Sequence, residues 1–296
     1  MPNAIFFTIH NTTPWWSYLA SRMEFAKVSV LSDFRGDGDW SLVEDFYHFQ
    51  RTGDVIATAR DRFGDDGCAE IILRCRSLRS LDPALAMRMI GGMARATAKA
   101  FDHIDPKLVL TFTMDRYVMD VMERIARKRD IAFIEMTTSI IPDMVMFLRR
   151  GRPIRLHEPS EDAVETAVKT LCQASFAPTY VRNAKKFSRS RFWRVYTYFA
   201  LRGIFFNGLR YLRRDPLNLH YIDALNRLKH KPRPSDVTVL GLLDPKWEMR
   251  LRQVPQDRRV FLGLQLFPEA SMDYWLKSRD MLQHDDVIVR YCGVLG

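Results

Sequence analysis

Three side chains able to take up a proton stand at the ends of apolar runs that read as β-strands. His10 follows the first run in IHNTTP, with Asn11, Thr12 and Thr13 beside it. Asp115 comes after a second run, in TFTMDRY, next to Arg116, and Glu135 closes a third, in FIEMTTS. Each also has a plainer reading. His10 can bond a neighbouring loop, Asp115 can cap a helix beginning at Arg116, and Glu135 can pair with an arginine. A further constellation lies late in the chain. An apolar run ending at Leu264 gives way to Gln265, Pro268, Glu269 and Ser271, a turn carrying an acid and a small hydroxyl. At the mouth of a parallel sheet such a turn borders the ligand site, and backbone N–H groups at the next helix start favour phosphate.

Other chemistry finds little foothold. Asp37-Gly38-Asp39 imitates a metal-binding Asp-x-Asp, but the later ligands of a calcium loop are missing, so it reads as a surface turn. HExxH, GxSxG, Walker A and GxGxxG patterns are absent. Cys68, Cys75, Cys172 and Cys292 have no CxxC spacing and suit buried thiols in a reducing compartment. Gly91-Gly92 lies inside a helical pattern, where close helix packing explains it better than a phosphate cradle.

The elements that must position these residues alternate through the first half. Strands are predicted over Ala4 to Ile9, Lys27 to Leu31, Cys68 to Leu73, Leu108 to Phe112 and Ile131 to Glu135. Between them fall helices over Trp15 to Met23, Ser41 to Gln50, Pro83 to Phe101 and Tyr117 to Arg127. Pro14 and Pro83 suit first helical positions, and Asp82 suits the cap of the long helix. This order predicts a doubly wound α/β domain with a mostly parallel sheet over residues 1–160. Helical patterns then occupy 161–234, ending in the linker-like HKPRPSD, and a second α/β region is predicted from 235 to 296.

The net charge of +10 is unevenly placed. Thr166 to Arg214 holds eleven Lys and Arg and no Asp or Glu, interleaved with aromatic residues. Such a stretch suits an anionic partner. A membrane surface met by 182–214 is one candidate, and aromatic residues in a core with solvated arginines is the plainer alternative. Nucleic acid is not expected, since the basic stretch matches no known module. No run reaches the ~20 apolar residues of a membrane span. The N-terminus lacks a basic n-region and a small-residue cleavage site, so a cytoplasmic location is expected, with peripheral attachment at the inner membrane face as an option.

The stretch RVFLGLQLFPEASMDYW, Arg259 to Trp275, resembles the opening of the donor-side domain in bacterial capsule and surface-polysaccharide biosynthesis proteins. Leu264, Gln265, Pro268, Glu269, Ala270 and Ser271 carry the likeness; several family members have His where Gln265 stands. The segment IDPKLVLTFTMDRYVMDVMERIARKRDIAFIEM is loosely similar to the family's strand–helix–strand unit. The resemblance implies a GT-B fold: a Rossmann-like acceptor-side domain, then a donor-side domain with Gln265, Pro268, Glu269 and Ser271 in its site. It further implies a nucleotide-sugar donor as substrate, a glycan or lipid-linked glycan acceptor, and neither metal nor separate cofactor. In that setting Asp115, His10 or Glu135, in that order, would take the acceptor's proton. About sixty residues beyond 235 fall short of the ~100 that such a second domain needs, so an incomplete donor half is expected, active or not. A non-catalytic binding or scaffold protein of the same assembly system is the alternative.

Overall fold

A computed structural model describes residues 1–9, 12–139, 141, 144–155, 158–173, 175–176, 188–218, 221–222, 234–241, 246–255 and 274. These divide between two compact units. One is drawn from Met1–Ala184, Leu217–Leu219 and Pro268–Gly296, the other from Lys185–Pro216 and His220–Phe267.

The first unit is an α/β domain around a mixed seven-stranded sheet of order β3-β2-β1-β4-β5-β6-β7. Its strands are β1 (Asn3–Thr8), β2 (Lys27–Ser32), β3 (Trp40–Ser41), β4 (Pro106–Phe112), β5 (Ala132–Thr138), β6 (Val145–Arg149) and β7 (Arg152–Pro153). The first five in spatial order run parallel, while β6 and β7 turn back antiparallel at one edge. Helices α1 (Thr13–Ala20), α2 (Leu42–Thr52), α3 (Val55–Arg74), α4 (Pro83–Ile104) and α5 (Tyr117–Lys128) connect the parallel strands, and α6 (Glu161–Leu171) follows β7.

Side-chain alternation divides each strand between two faces. Ala4, Phe6, Val30, Leu110 and Met136 form one cluster with Trp16 of α1. There the Trp16 ring meets Phe6 edge-on at 5.6 Å and Phe112 at 4.8 Å. The alternate residues Ile5, Phe7, Leu31 and Val109 have no solvent access, so the opposite face is covered as well. There α2, α3 and α5 gather around the long α4. Strands buried on both faces explain why the central runs are almost wholly apolar.

Local chemistry sets the boundaries. Ser41, Asp54 and Asp82 each cap a helix by accepting a backbone N–H, at Val43, Ala57 and Leu85. The expected strand at Cys68 to Leu73 is instead the second half of α3, a helix broken at Gly64. A six-residue apolar run does not reveal its own period. Here the Glu70–Arg74 pair, 2.9 Å apart at helical spacing, and the buried set Cys68, Ile71, Cys75 decide for helix. The Gly91-Gly92 pair does serve close packing. A Cβ at Gly91 would stand 1.7 Å from the Val55 carbonyl oxygen, and one at Gly92 would stand 2.4 Å from Gln50 Nε2. Because the first obstacle is backbone, Gly91→Ala should cost about 2–3 kcal/mol in urea denaturation. An unchanged midpoint would show that α4 does not pack this closely on the start of α3.

Candidate active site at the carboxyl edge of the sheet

Strand order reverses between β1 and β4. The chain steps from β1 to β2 on one side, and β4 later returns to the other side of β1. The carboxyl ends of those two strands therefore bound the crevice in which open α/β sheets bind ligands. Asp115 lies there, in the β4–α5 loop. Its side chain is 28% exposed, and Oδ1 accepts from Arg116 Nε at 3.0 Å. It does not cap α5: the cap position is Arg116, with no side-chain cap. Nor does a side chain cap α1, which starts at the same edge.

Glu135 is brought to the same loop from behind. It sits within β5, paired in register with Thr111 of β4 and Leu148 of β6, and has no solvent access. Oε2 accepts the backbone N–H of Met114 at 2.8 Å. The carboxylate thus fixes the backbone one residue before Asp115 and positions the loop. His10, and the donor-side residues Gln265, Pro268, Glu269 and Ser271, lie outside the described residues.

Residues not singled out from sequence complete the edge. Arg116 also reaches Asp33, which follows β2, with Nη1 donating to Oδ2 at 3.2 Å. Only 11% of the Arg116 side chain and 5% of the Asp33 side chain reach solvent. Asn218 Nδ2 donates to the Asp33 carbonyl at 2.8 Å, and Leu217 N–H donates to the Tyr47 hydroxyl at 2.9 Å, so a return of the chain closes over this side. Beyond β1, the hydroxyls of Thr8 and Thr12 are 2.9 Å apart, and Thr12 Oγ1 donates to the Ile9 carbonyl. Asp33 repeats the pattern that marked Asp115, an acid within three residues of the end of a buried strand, and that rule would have found it.

The Asp-Gly-Asp turn proves to be a clamp on this edge. Asp37 Oδ2 accepts from Thr13 Oγ1 at 2.6 Å and Ser32 Oγ at 2.8 Å. Asp39 pairs twice with Val30: its N–H donates to the Val30 carbonyl and its Oδ2 accepts the Val30 N–H, both at 2.8 Å. Gly38 between them has φ +73°, and a Cβ there would lie 2.6 Å from the Val30 carbonyl oxygen. Among the described residues no group of three or more His, Cys, Asp or Glu could hold a metal ion.

Behind the edge, α5 carries buried charge. Asp120 Oδ1 accepts from Arg124 Nε and Arg150 Nη2, both at 2.9 Å. Arg124 also reaches Glu70 at 3.0 Å, and Glu70 accepts from Arg74 at 2.9 Å. Burial pushes the Glu70 carboxyl up, but hydrogen bonds from Arg124 and Arg74, with their charges, outweigh it and hold the group at about 2. Glu123 goes the other way: burial raises it, against the pull of Arg150 and Arg127. Burial likewise raises the Cys75 thiol, despite backbone hydrogen bonds from Leu78, Tyr117 and Ser77. It raises the Tyr274 hydroxyl beside that thiol well above its ordinary value, so both stay protonated at neutral pH.

No protein-family model matches the chain, and no curated protein or solved structure is significantly similar to it.

Two outcomes follow from these contacts. Arg116→Met leaves the buried Asp33 without its guanidinium and should cost about 3 kcal/mol. Asp33→Asn in the same chain should restore part of that loss, and strictly additive costs in urea denaturation would mean the pair is not coupled. For Glu70 the folded value lies below the unfolded value of 4.5, so its contribution is complete above about pH 4.5 and disappears toward about pH 2. Glu70→Gln should therefore be the less stable protein at neutral pH, with the gap to wild type closing across that window. A gap independent of pH would contradict the assignment.

Proposed function

We propose that the protein is a metal-independent glycosyltransferase of GT-B type, acting in capsule or other surface-polysaccharide assembly. In this reading the sheet described above is the acceptor-side domain. Asp115 takes the proton of the acceptor hydroxyl as that oxygen bonds to the sugar carbon and the nucleotide leaves with its phosphates. The observation that carries the reading is the partly exposed Asp115 carboxylate at the strand-order reversal, held from behind by Glu135. Glu135 is then a positioning residue, since its carboxylate is committed to the Met114 N–H. The beginnings of α1 and α5 at this edge, without side-chain caps, favour negative charge nearby and suit an anionic ligand. The likeness of Arg259 to Trp275 to the donor-side opening supports the same reading. On that likeness alone, Gln265, Pro268, Glu269 and Ser271 would meet the nucleotide sugar, and His10 would lie by the acceptor. The nucleotide sugar is a substrate and no other cofactor is invoked. The acceptor is a glycan, free or lipid-linked, on the cytoplasmic side.

A non-catalytic glycan-binding role is the second reading, and one contact favours it. Asp115 already accepts from Arg116, so its carboxylate is engaged before any acceptor arrives.

Transfer from a panel of CMP- and UDP-sugars to lipid-linked glycan separates the two. Asp115→Asn should lower kcat/KM by about 100-fold or more, the usual contribution of a general base. Turnover surviving within about tenfold removes Asp115 from that role. Glu135→Gln keeps an oxygen for the Met114 N–H and should stay within about tenfold of wild type. Glu135→Leu should lose far more. Equal glycan binding by wild type and Asp115→Asn, with no sugar nucleotide bound in calorimetry, would favour the second reading.

A further inference from the structure

The second unit contains α7 (Arg189–Leu212), a helix of 24 residues with an unusual division of its faces. Phe192 and Gly203 are buried on one side. The side turned to solvent is the apolar one: Trp193, Tyr198, Leu201, Ile204, Phe205, Tyr211 and Leu212 are between 45% and 82% exposed. At 100° per residue these positions fall in one stripe, with Arg194 as its one charged member and Arg191 and Arg202 along its rim. At 1.5 Å per residue the stripe from Trp193 to Leu212 runs for ~30 Å. A helix in a water-facing position ordinarily shows the reverse arrangement.

We infer that this stripe lies in the interface of an anionic lipid bilayer. Three features select that occupant. The first is charge: the helix and the two residues after it, 189–214, hold seven arginines and no acid, so the stripe attracts negative headgroups without repulsion along its own length. The second is side-chain type. Trp and Tyr, with an apolar ring and a polar tip, settle at headgroup depth, while Leu, Ile and Phe enter the acyl boundary. The third is geometry. No helix among the described residues is long and apolar enough to cross a membrane, so α7 can lie on the surface but not span it. The contrast with α6 is informative. That helix also exposes apolar residues, Val164, Val168 and Leu171, but Glu161, Asp162 and Glu165 stand on the same short helix and would oppose an anionic surface.

The inference goes beyond the sugar-transfer reading, and either can fail alone, because vesicle binding requires neither donor nor acceptor. The test is flotation of the full chain with vesicles of phosphatidylcholine, alone or mixed with phosphatidylglycerol. Binding to the mixed vesicles should be about 10- to 100-fold tighter at low salt and should weaken as salt is raised. The fluorescence of the chain should shift to the blue on binding, and Trp193→Phe should remove most of that shift. Ile204→Glu with Phe205→Glu should abolish binding while far-ultraviolet circular dichroism is unchanged. Arg191→Gln, Arg194→Gln and Arg202→Gln together leave every apolar residue in place and should weaken binding to anionic vesicles at least tenfold. Equal binding to neutral vesicles, or no binding to either, overturns the inference. So does a dimer in solution that dissolves on Ile204→Glu and Phe205→Glu while vesicle binding is absent, which would make the stripe a contact between copies.

Discussion

A carboxylate with no access to water must find its partners inside the protein, and Glu135 finds the N–H of Met114. That one bond ties the middle of the sheet to the loop that leaves β4 at the point where strand order reverses. An unpaired amide at this depth would cost about 1–3 kcal/mol, so the loop has one stable course. With Met114 fixed, Asp115 must turn toward solvent and Arg116 must turn back over Asp33. The direction of α5, and with it the buried pairings of Asp120 and Arg124, follows from the same loop.

Electrostatics then separates the domain into two zones. Along the carboxyl edge charges are paired, from the buried Asp33–Arg116 pair to the partly wet Asp115, and hydroxyls of Thr8, Thr12, Thr13 and Ser32 fill the spaces between them. Deeper along α5, arginines and acids are largely dry. Glu70 is held ionised by two guanidinium groups, while burial pushes Glu123 toward its neutral form. A proton-accepting group is of use only where substrate can reach it. That condition singles out Asp115 over Glu135, although the two are equally near the end of a strand in sequence.

Much of the sheet could be read from sequence because each parallel strand is an apolar run bounded by polar residues, and Asp82 and Ser41 announce their helices. Cys68 to Leu73 could not be read that way, since its helical period is set by a salt bridge to Arg74 and by contacts with α4 and α5. For the site, the position of Asp115 was legible and its surroundings were not. Asp33 and Arg116 are 83 residues apart, and nothing in either local stretch announces the other. The roles of Asp37 and Asp39 were misjudged for a related reason. A turn rich in Asp and Gly looks solvated, yet Asp39 takes the Val30 N–H beside the two-residue β3, and Asp37 takes the hydroxyls of Thr13 and Ser32. In α7 the composition left open an anionic surface or a packed aromatic core, and nothing in the local sequence told that the aromatic stripe is exposed, with Arg191 and Arg202 along its rim.

If the β1–β4 carboxyl edge, with Asp115 at its mouth, is where substrate binds, ligand must perturb that edge first. Backbone amide shifts recorded while a lipid-linked glycan and a CMP- or UDP-sugar are titrated in address it directly. The largest changes are expected at Thr12, Thr13 and Thr113 to Arg116, with α2 and α3 little affected. Saturable changes centred elsewhere on the sheet domain, with the Met114 and Asp115 amides unmoved, would contradict it.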